Sequence, residues 1–259
     1  WEDWRRHEHL KHRRHLDAIE AGGVTHARML TESGYMTTLP RFSRDGSSVY
    51  YVRMDPYRRP SLMKRAMNGE SVFEIGPVND PNSLALSASG AAFISDVEYT
   101  RSFSLYNDAF QFRNGRTRLT RGLRARYIDV SADESRVVFV RNQADRYFLM
   151  AGDAGFKQIR ALIADSDLQI SFPRLSPDGR FAVFSLRDRD GSVDLAMIDI
   201  ANRETTRLTR DASADIHPCW HPDGEKIVFS SDRDGVFNLY ELGLKARSIS
   251  RVTNVAGGA

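Results

Sequence analysis

Cysteine occurs once in the 259 residues, at Cys219, so the chain can form no internal disulfide and offers neither a C-x-x-C pair nor a zinc-ligand spacing built on thiols. Long apolar runs are also missing: nothing approaches the roughly 20 residues that a spanning helix needs. An excess of one charge is absent as well, with 37 basic against 34 acidic side chains and a formal net charge of +3. That near-balance argues against a dedicated nucleic-acid binder, because sequence-independent affinity for phosphate depends on clustered Lys and Arg that release counterions. At 41% apolar and 27% charged residues, the composition is that of a globular protein.

Catalytic signatures are equally scarce. There is no G-x-S-x-G elbow, no P-loop and no G-x-G-x-x-G. The histidine-rich start, His7-Glu8-His9-Leu10-Lys11-His12 with His15, fails the zincin spacing, which needs a second His four residues after the first with Glu directly following the first; position 11 is Lys. These histidines read as a polar helix face. No catalytic residue, metal ligand or cofactor is expected within the chain.

What the sequence does contain is a repeat. A tight-turn motif recurs as Ser43-Arg44-Asp45-Gly46, Ser87-Ala88-Ser89-Gly90, Ser131-Ala132-Asp133-Glu134, Ser176-Pro177-Asp178-Gly179 and His221-Pro222-Asp223-Gly224, at spacings of 44, 44, 45 and 45. Asp bonds its own backbone two residues on, Pro presets φ and Gly accepts positive φ, so each copy reads as a hairpin turn. Phe42, Leu86, Val130, Leu175 and Trp220 precede the turns in one column. Val49 and Tyr51, Phe93 and Ser95, Val137 and Phe139, Ala182 and Phe184, and Ile227 and Phe229 follow with the period-two alternation of strands. A second turn, a third strand and a closing segment such as Arg118-Leu119-Thr120, Arg207-Leu208-Thr209 or Arg251-Val252-Thr253 complete each copy. Four strands per 44 residues describe one blade of a β-propeller.

The expected fold is therefore all-β: five four-stranded blades starting near residues 38, 82, 126, 171 and 216, within a propeller region 24–259. Residues 1–20 lack Gly and Pro and predict a helix stopped by Ala21-Gly22-Gly23, a connecting helix (1–23) from a preceding domain. Met29-Leu30-Thr31 lies 12 residues before Ser43, as Thr209 lies 12 before His221, so residues 24–31 are expected to be an outer closing strand of a six-bladed ring. A closed five-bladed ring is the alternative. With no initiator Met and no leader, the chain reads as part of a longer polypeptide.

The copies Phe172-Pro173-Arg174-Leu175-Ser176-Pro177-Asp178-Gly179-Arg180 and Pro218-Cys219-Trp220-His221-Pro222-Asp223-Gly224, with Ile227-Val228-Phe229-Ser230-Ser231-Asp232-Arg233-Asp234-Gly235, resemble TolB-type, WD-like propeller repeats. The segments around Leu119-Thr120-Arg121-Gly122 and Val252-Thr253-Asn254-Val255, with the Trp-rich start Trp1-Glu2-Asp3-Trp4, resemble a group of large bacterial envelope proteins. In that group a gluzincin-like peptidase domain precedes the propeller. The resemblance implies a periplasmic or cell-envelope setting. Ser89 and Glu134 depart from the turn pattern, which predicts that blades two and three are the least regular.

Charge patterning supplies the candidate site. Residues 113–126 hold six arginines and no acid, and their connecting loop should share a face with the turns after the second strands. The expected partner-binding face comprises Arg121, Arg124, Arg126, Asp188, Asp190, Asp211, Asp215, Asp232 and Asp234, suited to a protein partner of mixed charge. Asp188-x-Asp190-Gly191 and Asp232-x-Asp234-Gly235 resemble pieces of a calcium loop but lack its remaining oxygen ligands, and read as hairpin turns. The functional expectation is a non-catalytic interaction scaffold, with gating of a peptidase elsewhere in the polypeptide as the alternative. A small-ligand or glycan site in the central channel ranks last, since no convergent aromatics are evident there. Neither nucleic-acid binding nor membrane insertion by this chain is expected.

Overall fold

The computed structural model describes residues 1–31, 36–69, 71–98, 106–144, 146–164 and 168–255. A helix, α1 (Glu2–Ala21), precedes twenty strands. Blade one consists of β1 (Met36–Phe42), β2 (Ser48–Asp55), β3 (Arg58–Ala66) and β4 (Val72–Pro77). Blade two holds β5 (Ser83–Leu86), β6 (Ala92–Glu98), β7 (Tyr106–Phe112) and β8 (Arg116–Arg118). Blade three is β9 (Ala125–Val130), β10 (Val137–Gln143), β11 (Arg146–Gly152) and β12 (Arg160–Ile163). In blade four the strands are β13 (Gln169–Leu175), β14 (Phe181–Arg187), β15 (Val193–Asp199) and β16 (Thr205–Arg207); in blade five, β17 (Asp215–Trp220), β18 (Lys226–Ser231), β19 (Asn238–Gly243) and β20 (Ser248–Arg251). Each blade is a separate four-stranded antiparallel sheet in simple chain order, so the expected propeller of five four-stranded blades is the observed architecture.

The alternation read from the repeat identifies the buried face correctly. All ten residues of the two columns after the turn are buried, and Phe139, Phe184 and Phe229 are among the largest fully buried side chains. Separate apolar clusters join blade one to two, two to three, three to four and four to five. Each fully buried Phe contributes about 2 kcal/mol or more, so the blades are held together chiefly by these inter-blade layers. Strands β6, β10 and β14 are buried on both faces, whereas β18 alternates, burying Ile227, Phe229 and Ser231 and leaving Lys226, Val228 and Ser230 half-buried. Blade five thus has a neighbour on one side only.

A polar clamp recurs where the fourth strand hands over to the next blade. In blade two Asp108 is buried and accepts the Thr120 hydroxyl (2.8 Å), Arg118 Nη2 (2.6 Å) and the amides of Gly122 and Leu123, while Thr120 Oγ1 accepts Ala109 N–H (2.9 Å). Blade four repeats this with Asp194, Thr209 and Leu195 N–H, and blade five with Asn238, Thr253 and Leu239 N–H. The Arg-x-Thr closing segment is therefore the donor half of a clamp whose acceptor starts the third strand.

The turns tolerate their substitutions. Gly90 N–H and Glu134 N–H bond back to Ser87 and Ser131 as Gly46, Gly179 and Gly224 do in the regular copies. Glu134 adopts φ 59°, a conformation that ordinarily favours glycine, and its carboxylate accepts Ser89 Oγ (2.7 Å) and Arg113 (2.6 Å). The two departures thus compensate each other across neighbouring turns. Blade two is not irregular, since β5 alone of the five inner strands pairs without a register shift; blade three carries shifts at both β9–β10 and β11–β12, and blade one carries three.

Residues 24–31 also differ from expectation: they form no strand. An outermost strand needs a third strand to pair with, and none lies beside this segment among the described residues. Instead Thr25 exchanges hydrogen bonds with Asn254 (Thr25 N to Asn254 O, 2.8 Å; Asn254 N to Thr25 Oγ1, 2.8 Å), and Asn254 Nδ2 donates to Ile19 O and Gly23 O at the end of α1. Residues 28–30 then line a groove with residues 65–69 of blade one. The segment crosses the slot between blades five and one.

Asp108→Ala strips the clamp of its acceptor and leaves two amides and Arg118 Nη2 without their acceptor, Arg118 Nε keeping Thr120 O; denaturant unfolding should show a loss of about 3 kcal/mol, against about 1 kcal/mol for Thr120→Val. Asn254→Ala should free the end of α1, read as faster amide exchange and proteolysis at residues 19–25 with the blades unaffected. The Ser43 hydroxyl, followed by Ser47 N–H and hydroxyl, holds the Asp45 carboxyl down at about 2. This contribution is present above the ordinary value of 3.8 and lost as pH falls through about 2. Ser43→Ala should return the Asp45 value toward 3.8 in a carboxyl NMR titration.

Candidate functional site

The arginine run divides in two. Arg113, Arg116 and Arg118 are internal partners: Arg113 pairs with Glu134, Arg116 with Asp96 (3.0 Å) and Glu98 (3.2 Å) while lying 3.7 Å over the Phe110 ring, and Arg118 with Asp108. Arg121, Arg124 and Arg126 form no ion pair among the described residues. Arg121 is exposed, Arg124 stacks over Tyr106 at 4.5 Å, and Arg126 lies 5.3 Å from the Tyr127 ring with its Nε buried and unpartnered. Their loop is held by the amides of Gly122 and Leu123 on Asp108.

The acidic half of the expected face is built differently. Asp188 pairs with Arg207, and Asp190 accepts the Ser192 amide (3.0 Å) and hydroxyl (2.8 Å) within its own turn. Asp215 is buried against Arg233 (2.9 Å), which Asp211 also approaches (3.4 Å). Asp232 accepts Ala214 N–H (2.7 Å), and Asp234 accepts the Tyr240 hydroxyl (2.6 Å) and Arg251 (3.3 Å). No ion pair or hydrogen bond among the described residues joins the acids to Arg121, Arg124 or Arg126. The acids satisfy backbone amides and arginines of their own blades; the three arginines remain available for an outside partner. Among the described residues, no group of three or more His, Cys, Asp or Glu is placed to hold a metal ion. The side chains of His9, His12, His15 and Leu16 lie outside the described residues.

The central channel overturns the expectation that aromatics do not converge. Leu39, Tyr127, Phe172 and His217 each stand four residues before a turn anchor and each has positive φ, at 55°, 53°, 52° and 53°. Their bulges rotate side chains out of the strand alternation and toward the ring axis. Tyr127 packs on Phe172 at 4.5 Å between ring centroids, and Phe172 meets His217 edge-on at 4.0 Å. A cavity of about 260 Å³ opens here, lined by Leu39, Arg41, Asn82, Phe172, Arg174, His217 and Cys219 among others. In blade two the equivalent position is Ser83, whose hydroxyl accepts Ile128 N–H (2.8 Å), while Asn82 Oδ1 accepts Tyr127 N–H (3.1 Å).

Charges in the channel are mixed. Asp129 accepts Leu175 N–H (2.8 Å) and faces Arg174 (3.4 Å), linking blade three to blade four; burial pushes its carboxyl up to about 6. The protein packed around them, with the Arg41 charge, lowers the His217 imidazole below its ordinary value, and the same desolvation raises the Cys219 thiol, although both side chains keep exposed surface. Arg41 Nη1 donates to Pro40 O (2.8 Å) and has no acid pair among the described residues. The column four residues before each anchor was the available signal in the sequence, but period-two alternation assigns it no direction.

Comparison with known proteins places this architecture. The profile of the TolB beta propeller domain matches residues 129–258. The Tol-Pal system protein TolB of Francisella tularensis subsp. mediasiatica is 27% identical over 109 residues, which cover 41% of this chain and 25% of that relative's length. Among solved structures, TolB from Acinetobacter baumannii superposes with a TM-score of 0.72 at 16% identity, over 86% of this chain and 55% of the other. The putative TolB from Agrobacterium tumefaciens gives 0.73 at 17% identity, over 86% and 83%. An oligogalacturonate lyase from Vibrio parahaemolyticus gives 0.63 at 14% identity, over 87% and 67%, so the propeller alone does not separate binding proteins from enzymes. With half of its residues matched by that profile, the chain belongs to the TolB beta propeller domain family.

Proposed function

We propose that this chain is a non-catalytic interaction scaffold of the bacterial cell envelope, working in the periplasm and holding a protein partner on the face that carries Arg121, Arg124 and Arg126. The observation that supports this reading is the division of charge: the acids of that face are engaged inside their own blades, while these three arginines have no acidic partner among the described residues. A rigid platform with unpaired guanidinium groups suits an acidic segment of a partner, which Arg can hold bidentately. The relatives named as Tol-Pal system components make an envelope protein the natural class of partner.

The intact ring in this reading has six blades. Blade five is buried on one face only, and residues 24–31 cross the slot between blades five and one without strand pairing. A sixth set of three inner strands in that slot would supply the pairing partner for residues 24–31 and cover Val228 and Ser230.

Affinity capture from a bacterial envelope extract tests the scaffold. The wild type should retain a partner whose recovery falls with rising salt, since the contact is charge-led. Arg121→Ala, Arg124→Ala and Arg126→Ala together should lower recovery roughly tenfold, on the order of 1.4 kcal/mol. Unchanged recovery by the triple variant would remove this face from the reading.

A further inference from the structure

We infer that Arg41 makes the central channel a carboxylate-binding site, taking a carboxylate carried on a small flat apolar group. The site is separate from the Arg121 loop and goes beyond the scaffold reading.

Three observations on this chain meet at Arg41. First, its guanidinium has five N–H donors, and the one bond it makes, from Nη1 to Pro40 O, uses one of them. It is half-buried and shares one cavity wall with Asn82 of the blade-two entry, Phe172 and Arg174 of blade four and His217 and Cys219 of blade five, so the group sits where the blades converge rather than in bulk water. Asp129, the acid on which its charge acts, is already engaged from the other side by Leu175 N–H and Arg174. Second, the cavity of about 260 Å³ pairs that cation with apolar walls from Leu39, Phe172 and Pro218. Asn82 also lines it; Oδ1 is taken by Tyr127 N–H, and the amide nitrogen has no hydrogen-bond partner among the described residues, which leaves it to donate beside the guanidinium. Third, Leu39, Phe172 and His217, all on the cavity wall, hold left-handed backbone conformations in bulky residues. Such conformations cost about 1 kcal/mol or more each and persist where the surrounding structure demands a particular side-chain direction. Here the direction is into one cavity.

A cation with free donors, a second donor beside it and aromatic edges around it form a concave, mostly apolar pocket with a few placed polar groups. Carboxylate is the anion that matches a guanidinium bidentately, and the rings of Phe172 and His217 on the same wall offer a surface against which a flat apolar group can lie. The carboxylate comes either from a free small molecule or from the C-terminus of a chain ending in an aromatic residue.

Cys219, the chain's only cysteine, lines the same cavity and reports its occupancy. The rate of Cys219 alkylation by the uncharged reagent N-ethylmaleimide is measured with benzoate, with its uncharged analogue benzamide, and with acetyl-Ala-Ala-Phe as free acid and as amide. Benzoate should slow alkylation saturably, roughly fivefold or more, with half-effect on the order of millimolar for a ligand this small. Benzamide and the peptide amide should give little protection. Protection by the peptide acid but not benzoate assigns the carboxylate to a chain terminus, and the reverse assigns it to a free small molecule. Arg41→Gln should abolish protection, Arg41→Lys should weaken it, and Arg121→Gln, on the partner-binding face, should leave it unchanged. Each ratio is taken within one variant, so a change in basal thiol reactivity does not enter. Benzamide protecting as well as benzoate, protection surviving in Arg41→Gln, or no saturable protection by any of the acids overturns the inference. Should Arg41→Gln fail to fold, the benzamide and Arg41→Lys comparisons decide. Loss of the scaffold reading through the Arg121, Arg124 and Arg126 variants would leave this result untouched.

Discussion

In blades two, four and five the clamp between the third and fourth strands is the contact that fixes how the chain leaves the blade. Asp108, Asp194 and Asn238 are buried at the start of their third strands, and each accepts the hydroxyl of a Thr from the closing segment, Thr120, Thr209 or Thr253. That Thr in turn accepts the following amide of the third strand. A fourth strand as short as β8 or β16, three residues each, has too few ladder bonds to fix its own position. The buried acceptor supplies what the ladder lacks, and because a polar group removed from water must be paired, the segment has one low-energy placement. The loop beyond it then enters the next inner strand at a set height. In blade one Ser61 donates to Glu74 across β3 and β4, a looser version of the same idea.

That set height is what lets the channel exist. Inner strands entering at matched levels place Leu39, Tyr127, Phe172 and His217 around one axis, and their positive φ values turn the side chains inward. Four blade interfaces of apolar side chains hold the ring against the strain. The slot between blades five and one carries no comparable layer; it is bridged by polar contacts from Asn254 to Thr25 and to the end of α1, so the helix and the last blade are coupled through one side chain.

Charge is partitioned by the same logic. Residues 113–126 look uniform as a run of arginine, yet strand placement buries the carboxylates of Asp96 and Asp108 beside Arg116 and Arg118, leaves Arg121 and Arg124 on the connection and puts Arg126 at the start of β9. The aspartates after the second strands looked like surface acids because their turns are polar. Asp188 and Asp232, half-buried, are instead engaged by Arg207 and the Ala214 amide, while Asp190 and Asp234 stay exposed and bond Ser192 within the turn, or Tyr240 and Arg251 in the same blade. Net charge near zero therefore coexists with a basic loop and a channel arginine, Arg41, that have no acidic partner among the described residues.

Much of the fold was legible in the residues themselves. The turn spacing, the columns from Val49 to Ile227 and from Tyr51 to Phe229, and the Arg-x-Thr closings state blade number, strand order and buried face, because hairpin turns and period-two alternation are local properties of the chain. Glu134 shows the limit of that reading: a residue that breaks the turn pattern is rescued by Ser89 and Arg113 from the neighbouring blade, 45 and 21 residues away. The channel shows it more plainly. Alternation locates Phe172 or His217 on a strand face, but the bulge that redirects each, and the meeting of residues some 45 positions apart, depend on neighbouring inner strands gathering around an axis. Local chemistry therefore determined the blades, and only their packing side by side decided which arginines stay unpaired and what faces the channel, since those are contacts between repeats rather than within them.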